Sequence, residues 1–202
     1  NRKPKISVKK KLKALDRFEK KHGISGASLL ERGKLNIEAK NYAVAKKYLL
    51  HSLEKDKSLE TVHKLSICYG HLGLRDEASR ILEENIEFFK NSGAYWCLLS
   101  FYKLEAKDYE YSFMASSKAI NEFNQNLPAV WRIFSTSSLE VKEHQAAYTT
   151  CKKFLDKGSL NKFLVEAYIN HCLQLDKIEE AINFLENTDF DWSDCAIITG
   201  IA

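Results

Sequence analysis

The sequence predicts an all-α fold of stacked helical hairpins, and three observations predict it. Between Leu29 and Lys57, apolar residues recur three and four places apart, which is helical spacing and not strand alternation. The second half of that stretch then returns as RDEASRILEENIEFF (75–89), DYEYSFMASSKAI (108–120), EHQAAYTTCKKFL (143–155) and DKIEEAINFLEN (176–187). Aligned on a small residue, the copies fall at Ala45, Ala78, Ser112, Ala147 and Ala181, at intervals of 33, 34, 35 and 34. Finally, only two prolines and eight glycines interrupt 202 residues, which favours long helices and short turns. One such hairpin cannot bury its apolar face alone, so its copies must stack.

In chain order, residues 1–6 read as a flexible lead. From Ser7 to His22 the pattern predicts a helix with Val8, Leu12, Leu15 and Phe18 on one face; Lys9, Lys10, Lys13, Arg17, Lys20 and Lys21 lie mostly elsewhere, and Gly23 is its stop. Its expected role is a solvated helix whose apolar edge packs on the first repeat or on an upstream domain. The first repeat follows: one helix through Leu29, Leu30, Gly33 and Ile37, a polar break at Lys40-Asn41, and a second helix through Tyr42, Ala45, Leu49, Ser52 and Leu53. The period sets expected repeat spans of 26–58, 59–92, 93–127, 128–161 and 162–190. Residues 188–202 (TDFDWSDCAIITGIA) are too apolar for an ordinary tail. Trp192, Ile197, Ile198 and Ile201 are expected to cap the last repeat or to begin a truncated further one.

A fixed period near 34 with a helix–turn–helix unit resembles the tetratricopeptide repeat (TPR) family, over roughly residues 26–190. The family's early bulky site is met by Leu29, Val62, Trp96, Trp131 and Val165. The small site after it is met by Gly33, Ser66, Ser100 and Ser135, but the fifth unit carries Ile169. Tyr69 matches the first-helix aromatic, and the proline that usually ends the second helix is missing. The resemblance implies a right-handed superhelical solenoid whose first helices line a concave face. Mapped onto this chain, that face comprises Leu30, Lys34 and Glu38; His63, Ile67 and His71; Cys97, Phe101 and Glu105; Arg132, Thr136 and Glu140; and Glu166, Asn170 and Gln174. A subset of the family grips a chaperone C-terminus with Lys and Asn. Here those positions hold Leu30 and Lys34, so the resemblance does not extend to that clamp.

Charge is unevenly placed. Residues 1–22 hold ten Lys/Arg and two acids, +8, and the remainder is −4, giving the chain's +4. A basic lead suits an acidic partner, a membrane surface or nucleic acid. Three features count against nucleic acid: the repeat body is acidic, no aromatic–basic stacking series occurs, and no zinc-finger or RNA-binding signature is present. Nor does any run approach the ~18 apolar residues of a membrane span. Cys68, Cys97, Cys151, Cys172 and Cys195 are odd in number, with no Cys-x-x-Cys pair, which points to a reducing cytoplasm.

Chemistry is poorly represented. His63, Cys68 and His71 have the wrong helical spacing for a metal pair. His171 and Cys172 are adjacent and diverge around a helix, so they make no nucleophile–base pair. Glu83-Glu84 and Glu179-Glu180 read as solvated faces, and no phosphate loop, G-x-S-x-G or H-E-x-x-H occurs. The expectation is therefore a non-enzymatic scaffold without metal or cofactor. It binds another polypeptide in its groove, with Phe101 and Ile67 as anchors. Two alternatives stand beside it: the C-terminal output region of a bacterial two-component response regulator, suggested by the start without Met, and binding of nucleic acid or an acidic partner through the basic helix. A homodimer through the C-terminal end is also expected, since solenoid ends need capping.

Overall fold

The computed structural model describes residues 7–189, and among them it holds twelve α-helices and no strand. They are α1 Val8–His22, α2 Gly26–Glu38, α3 Tyr42–Lys55, α4 Leu59–His71, α5 Arg75–Glu83, α6 Ile86–Phe89, α7 Gly93–Glu105, α8 Tyr109–Asn121, α9 Pro128–Glu140, α10 His144–Leu155, α11 Lys162–Gln174 and α12 Ile178–Asn187. The predicted class, an all-α helical repeat, is the class observed. Residues 190–202, on which the expected C-terminal cap rests, lie outside the described residues.

Two compact units divide the chain, Asn1–Asn91 and Ser92–Ala202. In the first, α1 packs on α2, α2 pairs with α3, and α4 packs on both before pairing with α5. In the second, α7 pairs with α8, α9 packs on α7, α8 and α10, and α11 packs on α9, α10 and α12.

The hairpin turn is the most regular feature of the chain. Lys40, Gly73, Lys107, Lys142 and Asp176 all have positive φ, at 60°, 77°, 61°, 60° and 58°. After each, the next amide reaches back across the helix end: Asn41 N–H to Asn36, Leu74 to Tyr69, Asp108 to Lys103, Glu143 to Ser138 and Lys177 to Cys172, at 2.8–3.0 Å. The positive-φ residue itself donates to the carbonyl three residues earlier, at 2.8–3.3 Å. These paired bonds are the Schellman motif, which satisfies orphan carbonyls and reverses the chain. The five turns recur at the intervals of the small-residue series.

First helices begin as regularly. Ser25, Ser58, Ser92 and Asn161 each accept the backbone N–H three residues on, and the fourth start, Leu127, is followed by Pro128 at the first helical position. Between turn and cap, the small residues set how closely helices approach. Ala45, Ala78, Ser112 and Ala147 are fully buried and Ala181 nearly so. A Cβ on Gly33 would lie 2.5 Å from Leu49 Cγ, so glycine lets α2 and α3 cross there. At the next two crossings, Ser66 Oγ donates to the Ala78 carbonyl (3.1 Å) and Ser112 Oγ to the Ser100 carbonyl (2.9 Å). The bulky series Leu29, Val62, Trp96, Trp131 and Val165 is buried beside them. So is Ile169, where a small residue was expected.

Two local expectations change. The second helix of residues 75–89 is broken into α5 and α6 at Asn85. That side chain is buried and donates to the Ile81 carbonyl (2.8 Å), competing with the helix's own bonding. On α1, Phe18 does not join Val8, Leu12 and Leu15 against the repeat; it is 51% exposed and rests on His22. The buried position belongs to Glu19, whose carboxylate is held by the Arg32 guanidinium of α2.

Candidate partner-binding faces

Each expected face position follows a buried bulky residue by one, five or nine places, which carries it about 100–180° round the helix and out of the core. In the first unit, Leu30, Lys34, His63 and Ile67 are half-buried, and Glu38 and His71 exposed. This face is already laced together. Lys34 Nζ bridges Glu60 of α4 (3.1 Å) and Glu31 (3.4 Å), and the bond to Glu60 above all raises its pKa. Glu38 pairs with Lys11 of α1 at 2.8 Å, and His71 stacks on Tyr42 with ring centres 4.1 Å apart. Burial, aided by Lys64, lowers the pKa of His63.

In the second unit, three first helices, α7, α9 and α11, lie side by side. Arg132, Thr136 and Glu140 of the middle helix are exposed, as are Glu105 and Gln174. Flanking them, Cys97, Phe101, Glu166 and Asn170 are half-buried. Phe101 meets Tyr102 edge-on at 5.0 Å, and Thr136 Oγ1 donates to the Arg132 carbonyl (3.0 Å). Glu166 lies 3.9 Å from Lys162. Burial pushes the Cys97 thiol up to about 11, so it sits on this face as a neutral, apolar group. The surface is an apolar margin around Phe101 beside a charged middle helix.

Two polar clusters in the second unit escaped the sequence reading. His171 is fully buried, and its partner is Ser138 of α9, not the adjacent Cys172. Ser138 Oγ lies 2.8 Å from His171 Nε2 and 3.0 Å from the Ser135 carbonyl, and His171 Nδ1 lies 3.3 Å from His144 Nδ1, so the three side chains form one hydrogen-bonded row. Burial above all, with the neighbouring His144, pushes the His171 pKa down to about 4. The second cluster corrects the reading of Glu179-Glu180 as solvated. Glu179 is exposed, but the Glu180 carboxylate accepts from Tyr148 (2.7 and 2.8 Å), Tyr168 (2.9 Å) and Lys152. These bonds, Lys152 first, hold its pKa at about 2. Lys152, Tyr168, Glu180 and Phe184 edge a cleft of about 270 Å³. A pattern reading of single helices had no means of finding either cluster, because their members come from three helices each.

Neither arrangement is poised for acid–base or nucleophilic work. Glu180 is saturated with donors, Ser138 is sealed, and burial raises the thiols of Cys68, Cys151 and Cys172. Among the described residues, no three His, Cys, Asp or Glu side chains converge to hold a metal ion, and no helix is long and apolar enough to cross a membrane.

Neither a protein-family model nor a curated protein matches the sequence. Solved structures of MamA do resemble it. A crystal structure of MamA protein gives a TM-score of 0.64 at 15% identity, over 80% of this chain and 88% of that one. MamA AMB-1 gives 0.62 at 16% identity, over 88% and 97%, and a MamA RS-1 double mutant gives 0.62 at 10%, over 80% and 90%. At such identities the likeness is one of architecture: this chain has the helical-repeat fold that MamA has.

Proposed function

We propose that this chain is a non-catalytic protein-interaction module of five TPR-like repeats, spanning 26–58, 59–92, 93–127, 128–161 and 162–190, at work in a reducing compartment. A segment of another polypeptide docks on the first-helix face. The observation that supports this best is the row α7, α9 and α11, which offers the half-buried Phe101 as an anchor beside the exposed Arg132 and Thr136. A row of first helices with an apolar margin and a charged middle suits a partner that buries one or two bulky side chains and pairs its charges. In the first unit, Ile67 and Leu30 have the corresponding role.

The test is capture of cellular protein by the wild type, by Arg132→Glu/Thr136→Lys, and by Thr149→Glu on the exposed side of α10. Loss of a captured polypeptide from the first variant alone is the expected result. Capture that survives there and disappears with Thr149→Glu places the docking surface elsewhere and overturns the reading.

A further inference from the structure

The two acids of α1, Asp16 and Glu19, are both held by Arg32, and Lys11 is paired with Glu38. Every other charged side chain of the helix is a cation, and all of these are exposed: Lys9, Lys10, Lys13, Arg17, Lys20 and Lys21. At 100° per residue they fan over an arc of about 120° on a rod about 22 Å long. No acid is left among them to neutralise the arc. Two bulky apolar residues stand out at its C-terminal end, Phe18 at 51% and Ile24 at 59% exposure.

We propose that this face is a docking surface for an anionic lipid bilayer, lying flat against it and independent of the partner face. Three observations favour a bilayer over an acidic polypeptide or a nucleic acid. Five of the six cations are lysines, point charges that attract a diffuse negative surface and lack the planar fork that grips a single phosphate or carboxylate. They decorate a convex rod with no groove to track a strand. Phe18, on the flank of the arc about 60° beyond Lys21, and Ile24, just past the helix end, are exposed apolar side chains that can supply the second attachment a polybasic surface needs for stable binding. Val8, Leu12 and Leu15 are already turned into the interface with α2, so the helix docks as a fixed part of its unit and does not insert along its apolar face.

The test uses the full chain and flotation with vesicles of phosphatidylcholine alone or with about 30% phosphatidylserine, each lysine being expected to contribute about fivefold. The wild type is expected to float only with the anionic vesicles, and less as salt rises. Lys9→Glu/Lys13→Glu/Lys20→Glu should lose at least about a hundredfold in apparent affinity. Phe18→Ser/Ile24→Ser should lose severalfold while keeping the salt dependence. Circular dichroism confirms that both variants keep their helices. Equal flotation of the charge-reversed variant overturns the proposal. So does tighter binding, at the same salt, to polyglutamate or to single-stranded RNA than to the anionic vesicles.

Discussion

In Asn1–Asn91 the histidines His22, His51, His63 and His71 are exposed or half-buried, and the strongest charge contact, Arg32 with Asp16 and Glu19, ties on the leading helix. In Ser92–Ala202 the corresponding contact, Glu180 with Lys152 and two tyrosines, ties on the last hairpin, and His171 is sealed among α9, α10 and α11. The turns and small-residue crossings are the same in both units. The polar chemistry that locks one hairpin to the next is not. Steric rules therefore repeat along this chain, whereas hydrogen-bonding partners are particular to each junction.

The largest test of that contrast compares one repeat position in the two units. Trp131 is fully buried, donates from Nε1 to Asn126 (2.7 Å), and meets Phe134 and Phe154 edge-on at 5.5 and 5.2 Å. Trp131→Ala should cost roughly 3–5 kcal/mol by cavity formation. Val62→Ala, at the equivalent place in the first unit, should cost about 2 kcal/mol. Urea melts followed by segment-resolved hydrogen exchange separate the two units, and equal losses would show that the position bears the same load in both.

What was legible beforehand follows the same division. The ladder Ala45, Ala78, Ser112, Ala147 and Ala181 could be read because close helix crossing dictates residue size, and size is written in one letter. The turn ladder was readable in part: Lys40-Asn41 stood out, but Lys107 and Lys142 carry no glycine to announce a positive φ. Phe18 and Glu19 exchanged roles because hydrophobicity assigns phenylalanine inward, and only the presence of Arg32 across the interface makes a carboxylate the better buried neighbour. His171 depends on Ser138 and His144, some thirty residues earlier, and nothing local encodes that meeting.

The next largest effect is acid sensitivity, greater in the second unit than in the first. The folded pKa of His171 is about 4, below the ordinary value of 6.5, so on acidification the unfolded chain takes up its proton first. Stability from this group is complete above pH 6.5 and falls progressively towards pH 4, by about 3 kcal/mol in all. His63 shifts in the same direction but is only half-buried, so the first unit should change less. Trp96, Trp131 and Trp192 all belong to the second unit, so tryptophan fluorescence follows it during melts between pH 7 and pH 4.5. His171→Gln should flatten the pH slope even if it lowers the midpoint; an undiminished slope assigns the sensitivity to another group.

Overpacking should act alike in both halves, because the crossings are alike. Ala78→Leu and Ala147→Leu should each cost roughly 1–3 kcal/mol. A melt unchanged in either variant would break the equivalence of the two crossings.

The smallest effect probes the turns. Lys40, Lys107, Lys142 and Asp176 adopt a backbone that costs a residue with a Cβ about 1–2 kcal/mol, while Gly73 adopts it freely. Replacing Lys142 or Lys40 with glycine removes that strain but adds about 0.5–1 kcal/mol of unfolded-state entropy. The net gain should be about 0.5 kcal/mol in each unit, and Gly73→Ala should lose about as much or more. Lys40, Gly73 and Lys142 are all exposed, so the exchanges alter little packing. If Lys40→Gly gains and Lys142→Gly does not, the second unit's turn is held by its neighbours at Ser138 and His144, and the turns would join the polar junctions as features particular to each unit.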